Sequence, residues 1–354
     1  MRRQIEWVNV ARGIAILAVI VGHTLGPYTG QRFGSIIFAV HMPIFFILSG
    51  YLHHQRPPRQ ALRHDAPTLL LPYAATGGVL IVLNWLAQRL PANPLLTTYF
   101  PNGRHAVLAI LYGAGSPVFG TGRLHVQPVG AIWFLLCLLL AKQLFNAILQ
   151  LTHDWRQPLF IRVLLIGGCG ILGGWLGLHI YLPWALNAAL LAQVFLYAGY
   201  LIRQTKLLQR LSDWWQLLWV TLWAGSALQG YFLMTIPRAP HLVIAVAGGI
   251  GGSLVLIRLS QLACHWQSSW PVQALIKCGR GSLIILCFHL VDLNVIGLEG
   301  WLYGHLLPMT GPLVATVVGI SYRTLFALGW LVVVPHLPML RVCFYPRRYL
   351  ARTD

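Results

Sequence analysis

Residues 8–27 read VNVARGIAILAVIVGHTLGP. A helix needs about 20 mostly apolar residues to cross the hydrocarbon core of a bilayer, and this stretch has that length. It holds only two ionisable side chains, Arg12 and His23. Nine more stretches of the same kind follow, at 33–52, 67–90, 128–149, 161–179, 182–202, 214–235, 242–262, 282–299 and 312–335. The expected fold class is therefore all-α, a polytopic membrane protein with about ten transmembrane helices and a single membrane domain over 1–354. A transmembrane β-barrel would show segments of about ten alternating residues, and these runs are longer and uniformly apolar. The first stretch reads as a retained span rather than a signal peptide, because it lacks a small-x-small cleavage site and carries Arg12 and His23 inside it.

Only 9% of the 354 residues are charged, against about 25% in an ordinary soluble domain, so most of the outer surface must face lipid. Lys and Arg number 25 against 7 Asp and Glu, a net charge of +18. The basic residues sit in short loops between apolar runs, as in cytoplasmic loops of membrane proteins. Membrane lipid rather than nucleic acid is therefore the expected partner. With ten spans, both termini share one side. Placing both termini in the cytoplasm collects Arg2, Arg3, Arg56, Arg59, Arg63, Arg156, Arg162, Arg203, Lys206, Arg210, Lys277, Arg280, Arg341, Arg347, Arg348 and Arg352 there. Arg32, Arg89, Arg104, Arg123 and Arg238 fall outside. The longest outer segment, 91–127, is rich in Gly and Pro. Its apolar stretch 105–112 reads equally as a surface or re-entrant helix over an outward-facing site, or as part of a plain connection. No internal repeat is visible, which counts against inverted-repeat transporters. The cysteines lack metal-type spacing, and no metal is expected.

Polar groups inside a span are costly. Arg12 and His23 are eleven positions apart, which at about 100° per residue returns the side chain to nearly the same face. At 1.5 Å per residue they lie roughly 16 Å apart along the helix axis. That geometry suits a phosphate-bearing donor held near Arg12, with a flexible arm reaching His23 as general base. It equally suits an arginine snorkelling to the headgroups and a histidine bonded to a neighbouring helix. The second span reads FAVHMPIFFILSGYLHH over 38–54. Pro43 should kink it and bring His41 to the depth of His23, facing either a shared pocket or an interhelical hydrogen bond. Ser49 and the cysteines have no local His and carboxylate arrangement that would make them acyl-carrying nucleophiles.

The run Asn9-Val-Ala-Arg12-Gly13, continuing to Gly22-His23, resembles the opening signature of the acyltransferase-3 family. His41-Met42-Pro43-Ile44-Phe45-Phe46 with Leu48-Ser49-Gly50-Tyr51 resembles its second motif. Leu71-Pro72-Tyr73, Ala131-Ile132-Trp133, Leu182-Pro183-Trp184, Gly199-Tyr200 and Gly279-Arg280-Gly281-Ser282 with His289 follow in order. Within the family the chain is most similar to the fucose 4-O-acetylase-like branch. The resemblance implies a bacterial inner-membrane O-acyltransferase. Such an enzyme takes an acyl group from cytoplasmic acyl-CoA, with acetyl-CoA as the usual donor substrate, and passes it to a glycan or lipid-linked sugar. The family's essential Arg and His fall on Arg12 and His23. By its depth beside His23, His41 is expected to assist as a catalytic group. The position three before Arg12, often Asp in the family, is Asn9, so a local carboxylate partner for the arginine is lost. Some relatives carry a soluble esterase-like domain. This chain ends soon after its tenth span, so it is expected to act alone, as a homo-oligomer or with glycan-synthesis partners.

Arg56, Arg59 and Arg63 cluster after the second span, where bidentate arginine suits coenzyme A phosphates and plain topology explains each one as well. Arg280 is a further donor-side candidate. Trp133 is expected to stack on a sugar or to pack in the core. Arg323, a cation inside the tenth span, is expected to line the cavity and grip the acceptor. His289 is expected to face Asp292 one turn on. The rival reading is an exporter or transporter of polysaccharide or lipid-linked sugar, and a third is a scaffold in a glycan-synthesis complex. Neither rival needs an arginine and a histidine on one groove.

Overall fold

The computed structural model describes residues 5–90, 93–122, 125–210 and 214–349. Arg2, Arg3, Arg123 and Arg352 of the orientation argument, and parts of the 91–127 segment, lie outside the described residues. No strand occurs among the described residues. The helices are α1 Glu6–Thr24, α2 Arg32–Val40, α3 Pro43–Tyr51, α4 Pro58–Arg89, α5 Gly103–Tyr112, α6 Trp133–Leu151, α7 Pro158–His179 and α8 Leu186–Gln204. They continue as α9 Leu207–Arg210, α10 Trp214–Gln229, α11 Leu242–Ala263, α12 Trp270–Arg280, α13 Ser282–Val295, α14 Leu298–Val333, α15 Pro338–Phe344 and α16 Pro346–Tyr349.

Among the described residues, eight helical stretches are long and apolar enough to cross a membrane, and the pair α12–α13, bent by 77°, makes a ninth if it counts as one span. Two of the ten expected runs, 214–235 and 282–299, are shorter as helices than their apolar stretch. The apolar run 214–235 is helical only to Gln229, because Gly230 takes a φ of +134°, a conformation open to glycine and costly for other residues. Residues 231–235 then turn back, with Leu233 bridging Arg238. The run 282–299 is helical for 14 residues before it stops at Val295. The last run starts after a break at Gly311, where α14 leaves helical geometry between Pro308 and Pro312. The apolar stretch at 105–112 lies in α5, a ten-residue helix that buries Ala106, Ala109 and Tyr112. Outward-facing Ile171, Val243 and Leu325 are all more than two-thirds exposed. Repeated along several helices, such side chains need lipid against them.

Two helix crossings are built on paired glycines. A Cβ at Gly13 of α1 would fall within 3.0 Å of the Leu275 carbonyl of α12, and one at Gly279 of α12 would fall as close to the Asn9 carbonyl of α1. Gly50 of α3 and Gly199 of α8 meet the Leu196 and Ile47 carbonyls in the same reciprocal way. In lipid no hydrophobic force drives helices together, so close backbone approach at small residues supplies the packing energy. These four glycines belong to the motif-like runs quoted above, and here they set where α1 and α3 stand.

Gly13→Ala and Gly50→Ala should each destabilise the detergent-solubilised protein by about 1–3 kcal/mol, through overpacking against backbone that cannot yield. Gly167→Ala is the control. That glycine is helical with no neighbour within 4 Å, so alanine there should stabilise by about 0.5–1 kcal/mol. Thermal melts that rank the three variants otherwise would sink the idea that these crossings constrain the bundle.

Candidate active site

α1 carries Arg12, Ile16, Val19 and His23 on one face, each three or four residues from the next. Arg12 opens into a cavity of about 740 Å³ at one end of the bundle. His23 opens into a second cavity of about 310 Å³ at the other. Val19 lines the His23 cavity, and Ile16, 1% exposed, lies between the two and lines neither.

The Arg12 cavity is strongly basic. Arg12, Arg56, Lys142, Arg203 and Arg347 face it against one carboxylate, Asp65. Asp65 is committed, accepting from the Lys142 ammonium at 2.5 Å and from Gln143 at 3.3 Å, with His64 Nδ1 at 2.9 Å. Asn146 of α6 fixes the turn that presents Arg56. Its Oδ1 accepts from the Arg56 N–H at 3.1 Å and its Nδ2 donates to the Arg56 carbonyl at 2.8 Å, which Gln150 also bonds. Arg203 donates to the His53 carbonyl at 3.1 Å and meets His54 Nε2 at 3.2 Å, tying α8 to the end of α3. Arg347 arrives from α16 and approaches His64 Nδ1 at 3.0 Å. Burial, reinforced by the Lys142 charge, holds the His53 imidazole down at about 4, so it enters this site as a neutral group at pH 7.

The three arginines that follow the second span separate. Arg56 lines the cavity, while Arg59 and Arg63 are exposed on α4 and do not. Arg280 is also outside it. Its Nη2 donates to Glu6 Oε1 at 2.7 Å, and Glu6 Oε2 accepts from Asn9 at 3.1 Å. Asn9 thus links α1 to that ion pair, and Arg12 keeps no ion pair among the described residues. Sequence reading missed Arg203, Arg347, Lys142, His53 and His54 as cavity groups. Lys142 had a signal, since a lysine inside an apolar span needs a reason. Arg347 had none, because it comes from a different end of the chain.

At the other end, Pro43 does more than kink its span. α2 stops at Val40, and His41 and Met42 form a turn before α3 begins. His41 Nδ1 lies 3.1 Å from the Ile37 carbonyl. A carbonyl only accepts, so Nδ1 carries the proton and, in the neutral ring, Nε2 holds the free lone pair. The His41 and His23 rings are 6.4 Å apart, and both line the cavity. The His23 imidazole has no hydrogen-bond partner among the described residues, while its backbone carbonyl accepts from Arg323 Nη1 at 3.5 Å. Trp133 also lines this cavity, its ring packed over Gly115, where a Cβ would clash with the indole.

Arg323 does not line either cavity, contrary to expectation. It is 4% exposed, and its Nε donates to Asp292 at 2.7 Å, its Nη2 to Glu299 at 3.1 Å and its Nη1 to Thr24 Oγ1 at 3.1 Å. Tyr322 donates to the other Asp292 oxygen at 2.8 Å. Asp292 is therefore taken, and the expected His289–Asp292 pair does not form. His289 is fully buried, with neither ring nitrogen bonded among the described residues, and its ring lies 5.7 Å from that of His23.

A family model described as an acyltransferase domain, that of the acyltransferase-3 family, matches residues 5–331. The chain belongs to the acyltransferase-3 family. No curated protein and no solved structure matches it. Membership makes this chain an acyltransferase in the general sense, and the match covers α1 with both Arg12 and His23. It stops short of α15 and α16, so in this acyltransferase Arg347 reaches the basic cavity from beyond the matched residues.

Arg323→Ala should destabilise the protein by about 3–5 kcal/mol, because it strands a buried carboxylate at Asp292. Arg323→Met with Asp292→Asn should recover much of the loss. Equal melting points for the single and double variants would show that the ion pair does not hold α1, α13 and α14 together.

Proposed function

We propose that the chain moves an acyl group, acetyl in the simplest case, from acyl-CoA in the Arg12 cavity to a sugar hydroxyl in the His23 cavity. The observation that carries this reading is that one helix, α1, feeds both cavities from one face. The basic cavity offers unpaired guanidinium groups for the donor's phosphates, which arginine binds through charge-assisted, often bidentate hydrogen bonds. The roughly 16 Å from Arg12 to His23 along the helix is a distance for a flexible arm rather than a head group. The residues of the basic cavity come from the side that the distribution of Lys and Arg assigns to the cytoplasm. Those of the His23 cavity come from the opposite side. A bacterial inner membrane, with donor inside and cell-envelope glycan or lipid-linked sugar outside, fits that arrangement. The fucose 4-O-acetylase-like character of the motifs supports a sugar acceptor.

In this reading His23 accepts the proton of the acceptor hydroxyl as its oxygen attacks the thioester carbonyl. The carbon–sulfur bond breaks, and the proton passes to the leaving thiolate. His41, with its tautomer set by Ile37, orients the hydroxyl through Nε2. Ile16 stands on the path between the cavities.

The test uses purified protein in detergent with radiolabelled acetyl-CoA and a mixture of cell-envelope glycans. A general base typically contributes about 10²–10⁴-fold, so His23→Ala should lose about that much transfer while still binding acetyl-CoA. Ile16→Trp should block transfer with donor binding intact. Transfer that survives His23→Ala removes the base from the mechanism. A native protein that neither binds acetyl-CoA nor releases coenzyme A, yet moves glycan across vesicles, would be an exporter.

A further inference from the structure

We infer that the His23 cavity accepts an uncharged sugar ring and turns away anionic sugars such as uronic acids. The inference rests on the acyl-transfer reading and names the acceptor class that the cavity's chemistry selects. At about 310 Å³ the cavity sits at the small end of ligand pockets, which run from about 300 to 1,000 Å³. One ring is the natural occupant.

Charge decides which kind of ring. Among the described residues no Lys, Arg, Asp or Glu lines the cavity. The nearby buried cation, Arg323, sits behind the last turn of α1 with all three of its nitrogens engaged by Asp292, Glu299 and Thr24. Two carboxylates around one guanidinium leave no surplus positive charge to reach an anion. A carboxylate moved from water into such a site meets no counter-charge, and that is costly.

The hydrogen-bonding groups point the same way. His41 commits its Nδ1–H to the Ile37 carbonyl, so its neutral ring offers the cavity a lone pair. A hydroxyl can donate to that lone pair, whereas an ionised carboxylate has only lone pairs of its own. Tyr231 and Trp133 line the cavity, and the Tyr231 hydroxyl and Trp133 N–H have no hydrogen-bond partner among the described residues. A neutral polyol, both donor and acceptor at every hydroxyl, satisfies this mixture. Tyr231 packs on Phe38 at a ring separation of 4.2 Å, and with Trp133 it supplies flat apolar faces for the C–H faces of a sugar. Ser116 and Thr235, hydrogen-bonded at 2.8 Å, join the two loops that close the cavity and complete a polar but uncharged lining.

The experiment compares methyl glucoside and methyl galactoside with the corresponding methyl uronides, which differ only in a carboxylate replacing the hydroxymethyl group. Each is tested for protecting His23 of the full chain from diethyl pyrocarbonate, read by mass spectrometry of the His23 peptide. The neutral glycosides should protect at concentrations at least about tenfold lower than the uronides. Thr235→Lys, which adds a cation to the lining, should shrink that ratio to near unity. Uronides that protect as well as the neutral sugars would overturn the proposal. So would a ratio unmoved by Thr235→Lys, or no protection by any of the four. Protection requires no acyl transfer, so protection without acetyl transfer would sink the catalytic reading and leave the cavity's charge preference standing.

Discussion

Close approach of α1 to α12 and of α3 to α8, through glycines whose absent side chains let backbone meet backbone, is the constraint on which the site depends. Gly13 faces the Leu275 carbonyl and Gly279 the Asn9 carbonyl. Any larger residue would push α1 outward and carry Arg12 and His23 with it. The second crossing holds α3, whose first turn follows His41, against α8, which supplies Arg203. Motif-like glycines with no chemistry of their own thus decide where Arg12, His23 and Arg203 stand. The Arg323 cluster completes the job at the far end of α1, bonding Thr24 with a guanidinium held by two carboxylates.

The two cavities differ in kind, and the difference follows from their linings. The larger one gathers cations from α1, α6, α8, α16 and the turn before α4, and neutralises only one of them with Asp65. The smaller one has aromatic rings, hydroxyls and two histidines. Like-charged side chains brought together in one cavity cost energy unless a ligand or water compensates them. A surplus of cations facing a common space is therefore a place where a polyanion lowers the energy. The smaller cavity stores no such charge.

Much of the fold was legible because the relevant signals are local. Runs of apolar residues marked the spans, and helical periodicity put Arg12 and His23 on one face from spacing alone. Pro43 announced a break beside His41. The misses arise where local signals are silent. The run 214–235 looked like one span because residues 231–235 are apolar, but hydropathy does not separate residues facing lipid from those lining a cavity. Of Arg56, Arg59 and Arg63, only the first turns inward, and its turn is set by Asn146, 90 positions away in the chain. Arg323 read as a cavity group because a cation in a span demands a partner. The partners were Asp292 and Glu299, the second brought back by the turn at Gly311.

Because Arg12 and His23 belong to one unbroken helix, their spacing behaves as a ruler. Two sites on separate helices can drift apart or together as a bundle breathes, but three turns of hydrogen-bonded backbone have a nearly fixed length. A donor whose anchoring charge and reactive carbon are joined by too short a link would be held at one end and useless at the other. Under the proposed division of labour, with the donor held at Arg12 and its acyl carbon met at His23, small activated acyl compounds would be rejected by reach alone, without any pocket shaped to exclude them.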